Sequence, residues 1–294
     1  MGWLPDYPDY RDFTPDSTAI PARLKQLGVT KSVKDLMGQL KMKTPKKLPI
    51  TVADLEPAFP PVEDQGDLGS CTANAGVGIM EYYERRAFGR HLDASRLFLY
   101  KATRNLLGWT GDTGAFIRTT MGAMALFGVP PEEYWPYVTA DFDKEPPAFC
   151  YSFARNYQAL LFFRLDPPGV SGKALLDRIK QMLAGKLPSM FGFTVVSSIY
   201  DVGKDGNIPF PDKGDKVIGG HAVVAAGYDD AHTIKGKKTG QATKGALRIR
   251  NSWGPDWGDK GYGWLPYEYV LRGLAEDWWC LIKSEWVDTD QFGL

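Results

Sequence analysis

The sequence contains little cysteine and histidine, and it has no excess of charge of either sign. Its 294 residues include three cysteines and three histidines, and 35 basic residues balance 35 acidic ones. A net charge of zero excludes a general electrostatic attraction to nucleic acid or to an anionic membrane surface. So few cysteines also exclude a fold that depends on a framework of disulfides. We therefore expect neither nucleic acid nor membrane as a partner.

Long hydrophobic runs are absent as well. The chain has no stretch of about 18 or more consecutive apolar residues, and its first residues lack the apolar centre of a signal peptide. The scarcity of cysteine favours a reducing compartment, so the cytoplasm is the default expectation, although export without a leader would leave no trace in the sequence. With 44% hydrophobic residues, the chain can bury a large core.

Four residues whose side chains are suited to catalysis stand out in the remaining sequence. Gln65 begins the stretch Gln-Gly-Asp-Leu-Gly-Ser-Cys, which ends at Cys71. His221 follows two glycines in an apolar run, and Asn251 opens an Asn-Ser-Trp-Gly stretch rich in aromatic residues. In this order, the four residue types form a set that is suited to nucleophilic catalysis by a thiol.

Each member of the set has a role that fits its chemistry. The thiolate of Cys71 would attack a carbonyl carbon, and His221 would hold the thiolate as an imidazolium and later protonate the leaving group. Asn251 would fix the tautomer and orientation of His221, as the third member of a catalytic triad does. The amide of Gln65 and the backbone N–H of Cys71 would stabilise the developing oxyanion, typically by about 3 to 4 kcal/mol per donor.

The residues after Cys71 predict how its sulfur is held. Apolar and aromatic residues recur at helical intervals from Thr72 to Phe88, which places the sulfur at a helix N-terminus, where the dipole favours an anion. Gly76 and Gly78 would each cost this helix about 1 kcal/mol relative to alanine. Close packing of another element against the two glycines is the expected compensation.

Structural interpretations also exist for each residue taken alone. An unpaired cysteine is among the most frequently buried residues, so Cys71 could be a core residue. His221 could be a hydrogen-bonded core histidine, and Asn251 could belong to a turn. The spacing of six residues from Gln65 to Cys71, together with the other two, favours catalysis. Cys150 and Cys280 could form a disulfide or remain two buried thiols.

Three blocks of sequence carry a resemblance to a known family. They are residues 61–71, 219–229 and 251–263, which contain the four candidate residues. Together they resemble the papain family of cysteine peptidases, and in particular its bacterial members, over roughly residues 55 to 290. The resemblance implies an α+β fold in which a helical lobe and an antiparallel β-barrel lobe enclose the active-site cleft. It also implies hydrolysis of peptide bonds in a peptide or protein substrate, with no metal or organic cofactor.

The resemblance implies roles for further residues. Gly114 matches the glycine-bearing wall that pairs with the substrate backbone. Phe116, Gly192 and Ala222 fall near the second subsite and imply a pocket for an apolar or aromatic side chain. Trp253 resembles the indole that covers the bond between asparagine and histidine and keeps water from it.

The chain also departs from the family pattern. Leu68 and Thr72 stand where relatives have a cysteine and a tryptophan, so the usual neighbouring disulfide is missing. Gly220 precedes the histidine where many relatives have Asp or Asn, so the pH optimum could differ. The interval between His221 and Asn251 is longer than in papain, and residues 235–240 read as an extended polar turn between strands.

The pattern predicts three parts of the chain. Residues 1–47 form an N-terminal extension, shorter than the usual inhibitory prodomain, with extended structure followed by two short helices at 20–27 and 33–40. We weigh two hypotheses: the extension covers the cleft and regulates access, as in a zymogen, or it is a strap on the back of the fold. Residues 48–150 form the helical lobe, with helices at 95–106 and 118–127 after that of Cys71. Residues 151–294 form the β-rich lobe, with strands at 157–164, 189–196, 222–227 and 246–250 and a helix at 172–184.

The function predicted from the sequence is that of a cysteine-type peptidase that needs a reducing agent to keep Cys71 active. Two alternatives stay open. The same residues serve any acyl acceptor, so an amidase or transpeptidase on this scaffold is one. A non-catalytic peptide-binding protein that retained the cleft is the other.

Overall fold

The computed structural model describes residues 1–42, 48–53, 55–157, 160–236 and 239–294. The α-helices are α1 (Ala22–Gln26), α2 (Val33–Gln39), α3 (Cys71–Phe88), α4 (Arg96–Leu107), α5 (Ile117–Phe127), α6 (Ala148–Ala154), α7 (Gly172–Ala184), α8 (Tyr267–Leu271) and α9 (Ser284–Val287). The strands are β1 (Trp3–Leu4), β2 (Thr51–Val52), β3 (Ala115–Phe116), β4 (Leu161–Arg164), β5 (Ser189–Val196), β6 (Val217–Lys235), β7 (Ala242–Arg250), β8 (Tyr262–Pro266) and β9 (Ala275–Ile282).

Helix α3 is the central element, because it packs against α4 and α5 on one side and against β5 and β6 of the sheet on another. Its two interior glycines lie where neighbours come close. A Cβ at Gly78 would lie 2.6 Å from Nη1 of Arg250, and one at Gly76 would lie 3.1 Å from the sulfur of Met124. The close packing predicted from these glycines is confirmed, and it seats the first residue of α3 against the β-rich part.

The predicted helices agree with the observed ones to within two residues at most ends, because their termini carry capping signals. The hydroxyl of Ser95 accepts a hydrogen bond from the backbone N–H of Phe98 at the start of α4. Gly128 adopts a positive φ of 75° at the end of α5, and Pro130 and Pro131 follow after one intervening residue. Helix α7 has the predicted bounds.

The β-rich part is built on one antiparallel sheet with the strand order β4-β9-β5-β6-β7-β8, to which β2 adds by pairing with β6. In this register Gly192 of β5 lies opposite Ala222 of β6. The face of the sheet is closed by buried aromatic residues, with the ring of Phe191 stacked 3.8 Å from that of Trp278. Helices and sheet share one core, as expected for the α+β fold predicted above.

Some predicted element bounds are wrong. Tyr157 ends a 3-10 helix (Arg155–Tyr157), and strand β4 begins only at Leu161, while residues 158 and 159 lie outside the described part. Strand β6 begins before Ala222 and continues to Lys235, because its pairing with β7 extends well past the apolar run. Of the predicted polar turn, residues 237 and 238 lie outside the described part, as do residues 43–47 of the extension.

The N-terminal extension has two regions with different environments. Residues 1–17 run along the outside of the helical and β-rich parts and enter the space between them, as described below. Helices α1 and α2 are instead packed into the common core, with Leu24, Val33 and Leu36 buried. Helix α2 begins with a capping box between Ser32 and Asp35. Removing both helices would therefore expose core residues. Within residues 1–17, Trp3 belongs to the same core, whereas most of the other side chains are partly or fully exposed.

Two further sequence predictions concern the whole chain. Cys71, Cys150 and Cys280 are all unpaired and buried, so the alternative of a disulfide between Cys150 and Cys280 is wrong. Among the described residues, no helix combines the length and the apolar character needed to cross a membrane.

Candidate active site

Cys71 is the first residue of α3 and is completely buried. Its sulfur accepts hydrogen bonds from the backbone N–H of Ala222, at 3.4 Å, and from that of Gly2. The unpaired N–H groups of the first turn of α3 surround the same region and favour negative charge there. The thiol thus lies at the junction of the helical part, strand β6 and the N-terminal segment.

His221 and Asn251 form a buried pair beside this junction. Nε2 of His221 lies 2.7 Å from Oδ1 of Asn251, which also accepts the backbone N–H of Ser252 at 2.8 Å. The ring of Trp253 stacks on the imidazole, with ring centres 4.5 Å apart and planes inclined by 26°. Within the described part of the chain, Nδ1 of His221 has no hydrogen-bond partner. One ring nitrogen is therefore fixed by the amide while the other stays available for proton transfer.

Gln65 is held rigidly before α3. Its backbone N–H donates to the carbonyl of Ser252, and its Oε1 accepts the Ser252 hydroxyl at 2.7 Å. Its Nε2 donates one hydrogen to the carbonyl of Leu68, also at 2.7 Å. An amide nitrogen carries two hydrogens, so the second one remains for another acceptor. Ser252 thus joins the segment of Asn251 to the segment of Cys71.

Burial shifts the pKa values of the thiol and the imidazole in opposite directions. Burial raises the pKa of Cys71 above its ordinary value, and burial lowers the pKa of His221 from 6.5 to about 3, against the opposing effect of the Asn251 hydrogen bond. Both groups are wholly inaccessible to solvent. The helix N-terminus was expected to favour the thiolate, but the thiol form is favoured in this covered state, because loss of water disfavours both charged forms.

The N-terminal residues of the chain cover the thiol and the imidazole. Strand β1 pairs in parallel with β3, and the carbonyl of Gly2 accepts the N–H of Ala115 at 2.8 Å. A Cβ at Gly2 would lie 1.9 Å from the carbonyl oxygen of Gly69, and one at Gly114 would lie 2.2 Å from the carbonyl oxygen of Gly2. Only glycines allow the backbones to approach so closely. The N-terminal segment is thus seated backbone to backbone in the cleft.

Trp3 fills a pocket on the β-rich side of the same cleft. Its ring lies over β5 and β6, where a Cβ at Gly192 would come within 1.8 Å of the indole and one at Gly220 within 2.7 Å. The indole N–H donates to Oδ2 of Asp277 at 3.2 Å. Trp3 is only 6% exposed, so the pocket encloses it almost completely.

Ion pairs hold the following residues in place. Nε and Nη2 of Arg118 each lie 2.8 Å from Asp12, and Arg118 also pairs with Asp6. Arg164 donates its backbone N–H to the carbonyl of Phe13 at 2.7 Å. Residues 1–17, which we call the cleft segment, are therefore attached both by the seated strand and by charged contacts beyond it.

The structure brings the residues predicted to bind substrate into one place. Gly114 contacts the backbone of Gly2, and Phe116 pairs with Leu4 across the short parallel ladder. Gly192 lies under the ring of Trp3, and Ala222 donates its N–H to Cys71. All four thus border the cleft segment or the thiol. Their predicted roles toward substrate remain predictions.

Sequence reasoning missed Gly2, Trp3 and Asp277 as members of this region. A carboxylate within the apolar run of β9, next to two tryptophans, is a signal that could have marked Asp277 as a buried acid. The positions of Gly2 and Trp3 have no comparable local signal, because they depend on contacts with residues more than sixty positions away.

One group of carboxylates has the spacing of a metal site. Ligand atoms of Glu63, Asp93 and Glu132 lie within 4.8 Å of one another. Arg96 lies 2.9 Å from Glu63 and 2.8 Å from Glu132 and balances their charge. The donor set is therefore already engaged in an ion-pair network, which does not favour a bound cation.

An α+β fold with a thiol at a helix N-terminus, next to a buried histidine and asparagine, defines the class of cysteine hydrolases. Comparisons with known proteins specify the family. The family model described as "Papain family cysteine protease" matches residues 50–282. The chain belongs to the papain family of cysteine proteases, and the resemblance predicted from the three sequence blocks is confirmed.

Individual relatives agree with this assignment. An uncharacterized peptidase C1-like protein of Acanthamoeba polyphaga mimivirus is 35% identical over 224 residues, which are 74% of this chain and 68% of the relative. Cathepsin K of Gallus gallus is 32% identical over 214 residues, 69% of this chain but only 54% of the relative. The chain thus spans about half the length of that cathepsin. The crystal structure of xylellain, a cysteine protease from Xylella fastidiosa, matches with a TM-score of 0.71 and 32% identity over 96% of this chain and 95% of xylellain.

Proposed function

We propose that the chain hydrolyses peptide bonds with Cys71 as nucleophile, His221 as acid and base, and Asn251 as the residue that positions the imidazole. The observation that carries this proposal is that the Cys71 thiol is buried beside the strand that contains His221. Nε2 of His221 is in turn hydrogen-bonded to Asn251. The two residues come from separate parts of the fold and meet at one cleft. Such convergence of a thiol, a base and an orienting amide is what thiol catalysis requires.

The proposed reaction proceeds in two balanced steps. The Cys71 thiolate attacks the peptide carbonyl and forms a C–S bond; the C–N bond then breaks, and the amine leaves with a proton from His221. Water next attacks the thioester, gives a proton to His221 and releases the carboxylic acid, so that the C–S bond breaks and the thiolate returns. Trp253, stacked on the imidazole, keeps the hydrogen bond to Asn251 away from water and strengthens it.

Gln65 is proposed to stabilise the oxyanion with its second amide hydrogen and the backbone N–H of Cys71. Replacing Gln65 with alanine should lower kcat by roughly a hundredfold to a thousandfold and change KM little, because the bond forms only as charge develops. Steady-state kinetics on one peptide would measure this. Ser252→Ala, which removes only the hydroxyl that orients the Gln65 amide, should have a smaller effect. If Gln65→Ala raised KM and left kcat unchanged, the assignment of Gln65 to oxyanion stabilisation would be contradicted.

We also propose that the cleft segment regulates the peptidase. With Gly2 and Trp3 seated, substrate cannot reach Cys71, and burial of the thiol and the imidazole favours their neutral forms. Displacing the segment would restore water, and the helix N-terminus and imidazolium would then lower the pKa of the thiol. Access and activation of the nucleophile would thus be controlled by the same movement.

Alkylation of Cys71 at different pH values tests both proposals. A raised pKa leaves less thiolate at any given pH. Labelling by iodoacetamide in the wild-type chain should therefore begin only above about pH 8.5, the ordinary pKa of a cysteine thiol. In a full-length variant with the segment displaced, such as Gly2→Leu, labelling should begin below about pH 6, and adding His221→Ala should remove this reactivity. Mass spectrometry would measure the extent of alkylation at each cysteine.

The buried thiols Cys150 and Cys280 serve as internal controls that should stay unlabelled in every sample. Labelling of Cys71 in the displaced variant that starts at the same high pH with and without His221 would contradict the thiolate–imidazolium pair. Equal labelling of the wild type and the displaced variant would contradict regulation by the segment.

A further inference from the structure

The pocket that holds Trp3 has the shape of a flat slot. Gly192 and Gly220 form its floor, and any side chain at either position would overlap the indole. Both lie on one face of the paired strands β5 and β6, where Thr194 is opposite Gly220 and Ala222 is opposite Gly192. Two glycines on adjacent strands leave room for a ring lying flat on the sheet. The slot therefore fits a planar aromatic side chain.

A buried carboxylate lies at the end of the slot, and one of its oxygens accepts a hydrogen bond from the side chain in the slot. Asp277 is completely inaccessible and has a positive φ of 62°. Its Oδ1 accepts the indole N–H of Trp279 at 2.7 Å and lies 3.2 Å from Arg164. Its Oδ2 accepts the indole N–H of Trp3. The strained backbone and the two contacts on Oδ1 fix the carboxylate so that Oδ2 faces into the slot.

The burial of the slot and the Arg164 guanidinium beside it favour a neutral donor over a cation. Arg164 is buried and already pairs with Asp277 and with Asp166, the latter at 2.9 Å. A lysine or arginine side chain in the slot would bring a second buried cation close to the Arg164 guanidinium and would lose its own hydration. A neutral N–H group satisfies Oδ2 without either cost.

The slot coincides with the second subsite that the resemblance implied, since Gly192 forms part of its floor. We infer that Asp277 makes this pocket select tryptophan in the substrate. The slot is next to the nucleophile, since the N–H of Gly2 contacts Cys71 and the following residue fills the slot. Asp277 acts as the specificity-determining residue by accepting the indole N–H. This inference rests on the proposed hydrolysis at Cys71. In the resting chain, Trp3 occupies the place of the preferred substrate side chain.

The test compares substrates that differ in a single N–H group. The full-length Trp3→Ala protein would be assayed with peptides that are identical except at the second residue before the cleaved bond. That residue is tryptophan, 3-benzothienylalanine, phenylalanine or arginine. Benzothienylalanine has the shape of tryptophan but carries sulfur in place of the N–H. Assays at about pH 8 keep Asp277 ionised, because burial raises its pKa to about 7.

We expect kcat/KM for the tryptophan peptide to exceed that for the benzothienylalanine peptide by roughly tenfold or more, because the analogue leaves Oδ2 unpaired. The arginine peptide should be slower than the tryptophan peptide. In a second variant with Asp277→Asn added, the ratio of the first two rates should fall to about one. Asparagine tolerates the positive φ, and with its oxygen held by Trp279 and Arg164 it would present an N–H to the indole.

The outcomes separate the inference from the proposed function. Equal rates for the tryptophan and benzothienylalanine peptides, or a preference for arginine, would overturn the inference while leaving peptide hydrolysis intact. The comparison of substrates needs no change at Asp277, so it decides the question even where the Asp277→Asn protein fails to fold. Failure to cleave any of the peptides, with Cys71 reactive toward iodoacetamide, would overturn the proposed function itself.

Discussion

Replacing Cys71 with alanine should reduce kcat/KM for a peptide substrate by roughly four orders of magnitude or more. In the proposed mechanism the sulfur forms the covalent bond, and removal of a nucleophile from a catalytic triad typically leaves only the rate enhancement due to binding and oxyanion stabilisation. Alanine is smaller than cysteine, so it fits at the start of α3, and it favours a helix, so the fold should be retained. Hydrolysis would be measured under reducing conditions, in a displaced-segment background so that the starting rate is high.

The matched controls are Cys150→Ala and Cys280→Ala, which remove the other two thiols. Both are buried and unpaired, so each change should cost stability through a small cavity but leave kcat/KM within a fewfold of the parent. Product analysis would distinguish a free carboxylic acid from a transferred acyl group. Retention of more than about a tenth of the activity in Cys71→Ala would rule out this thiol as the nucleophile.

Displacing the cleft segment should raise peptidase activity by roughly tenfold to a hundredfold. Leucine at position 2 cannot be accommodated, because its Cβ alone would lie 1.9 Å from the backbone oxygen of Gly69. Moving a closed–open equilibrium by one to two orders of magnitude needs only about 1.4 to 2.8 kcal/mol, well within the cost of such an overlap. Initial rates of the full-length Gly2→Leu and wild-type proteins would measure the effect.

Tyr10→Ala is the matched control within the same segment. Its side chain is 93% exposed, so its removal should leave the rate unchanged. Trp3→Phe should activate less than Trp3→Ala, because phenylalanine still fills much of the slot while losing the hydrogen bond to Asp277. A correctly folded Gly2→Leu protein with the activity of the wild type would show that the segment does not limit access.

The sequence was sufficient for features that depend on local signals. Helices α4, α5 and α7 were predictable because caps and glycine stops mark their ends, and β5 was predictable from its apolar run between turns. Gln65, Cys71, His221 and Asn251 could be selected because their residue types and order are chemically unusual. Their meeting at one cleft followed from the resemblance and not from spacing alone.

Features that depend on distant contacts were not predictable. The sequence around Gly2 and Trp3 gives no signal for pairing with β3 or contact with β5, since these interactions join residues far apart in sequence. The same reason explains the division of the N-terminal extension, in which α1 and α2 pack on the core while the first residues of the cleft segment occupy the cleft. The direction of the Cys71 pKa shift was not predicted either, because burial of the thiol, and not the helix end, determines it.

The seated strand runs in the same direction as β3, and it presents the N–H of Gly2, a donor, to the sulfur. In the proposed regulation the cleft segment is the inhibitor. Because it is part of the chain, its effective concentration is fixed by the tether, in the millimolar range for short connections, and does not fall on dilution. The fraction of the protein in the closed state should therefore not change with protein concentration. A competing peptide would have to reach comparable concentrations before it could displace the segment, and removal of that peptide would let the chain close again.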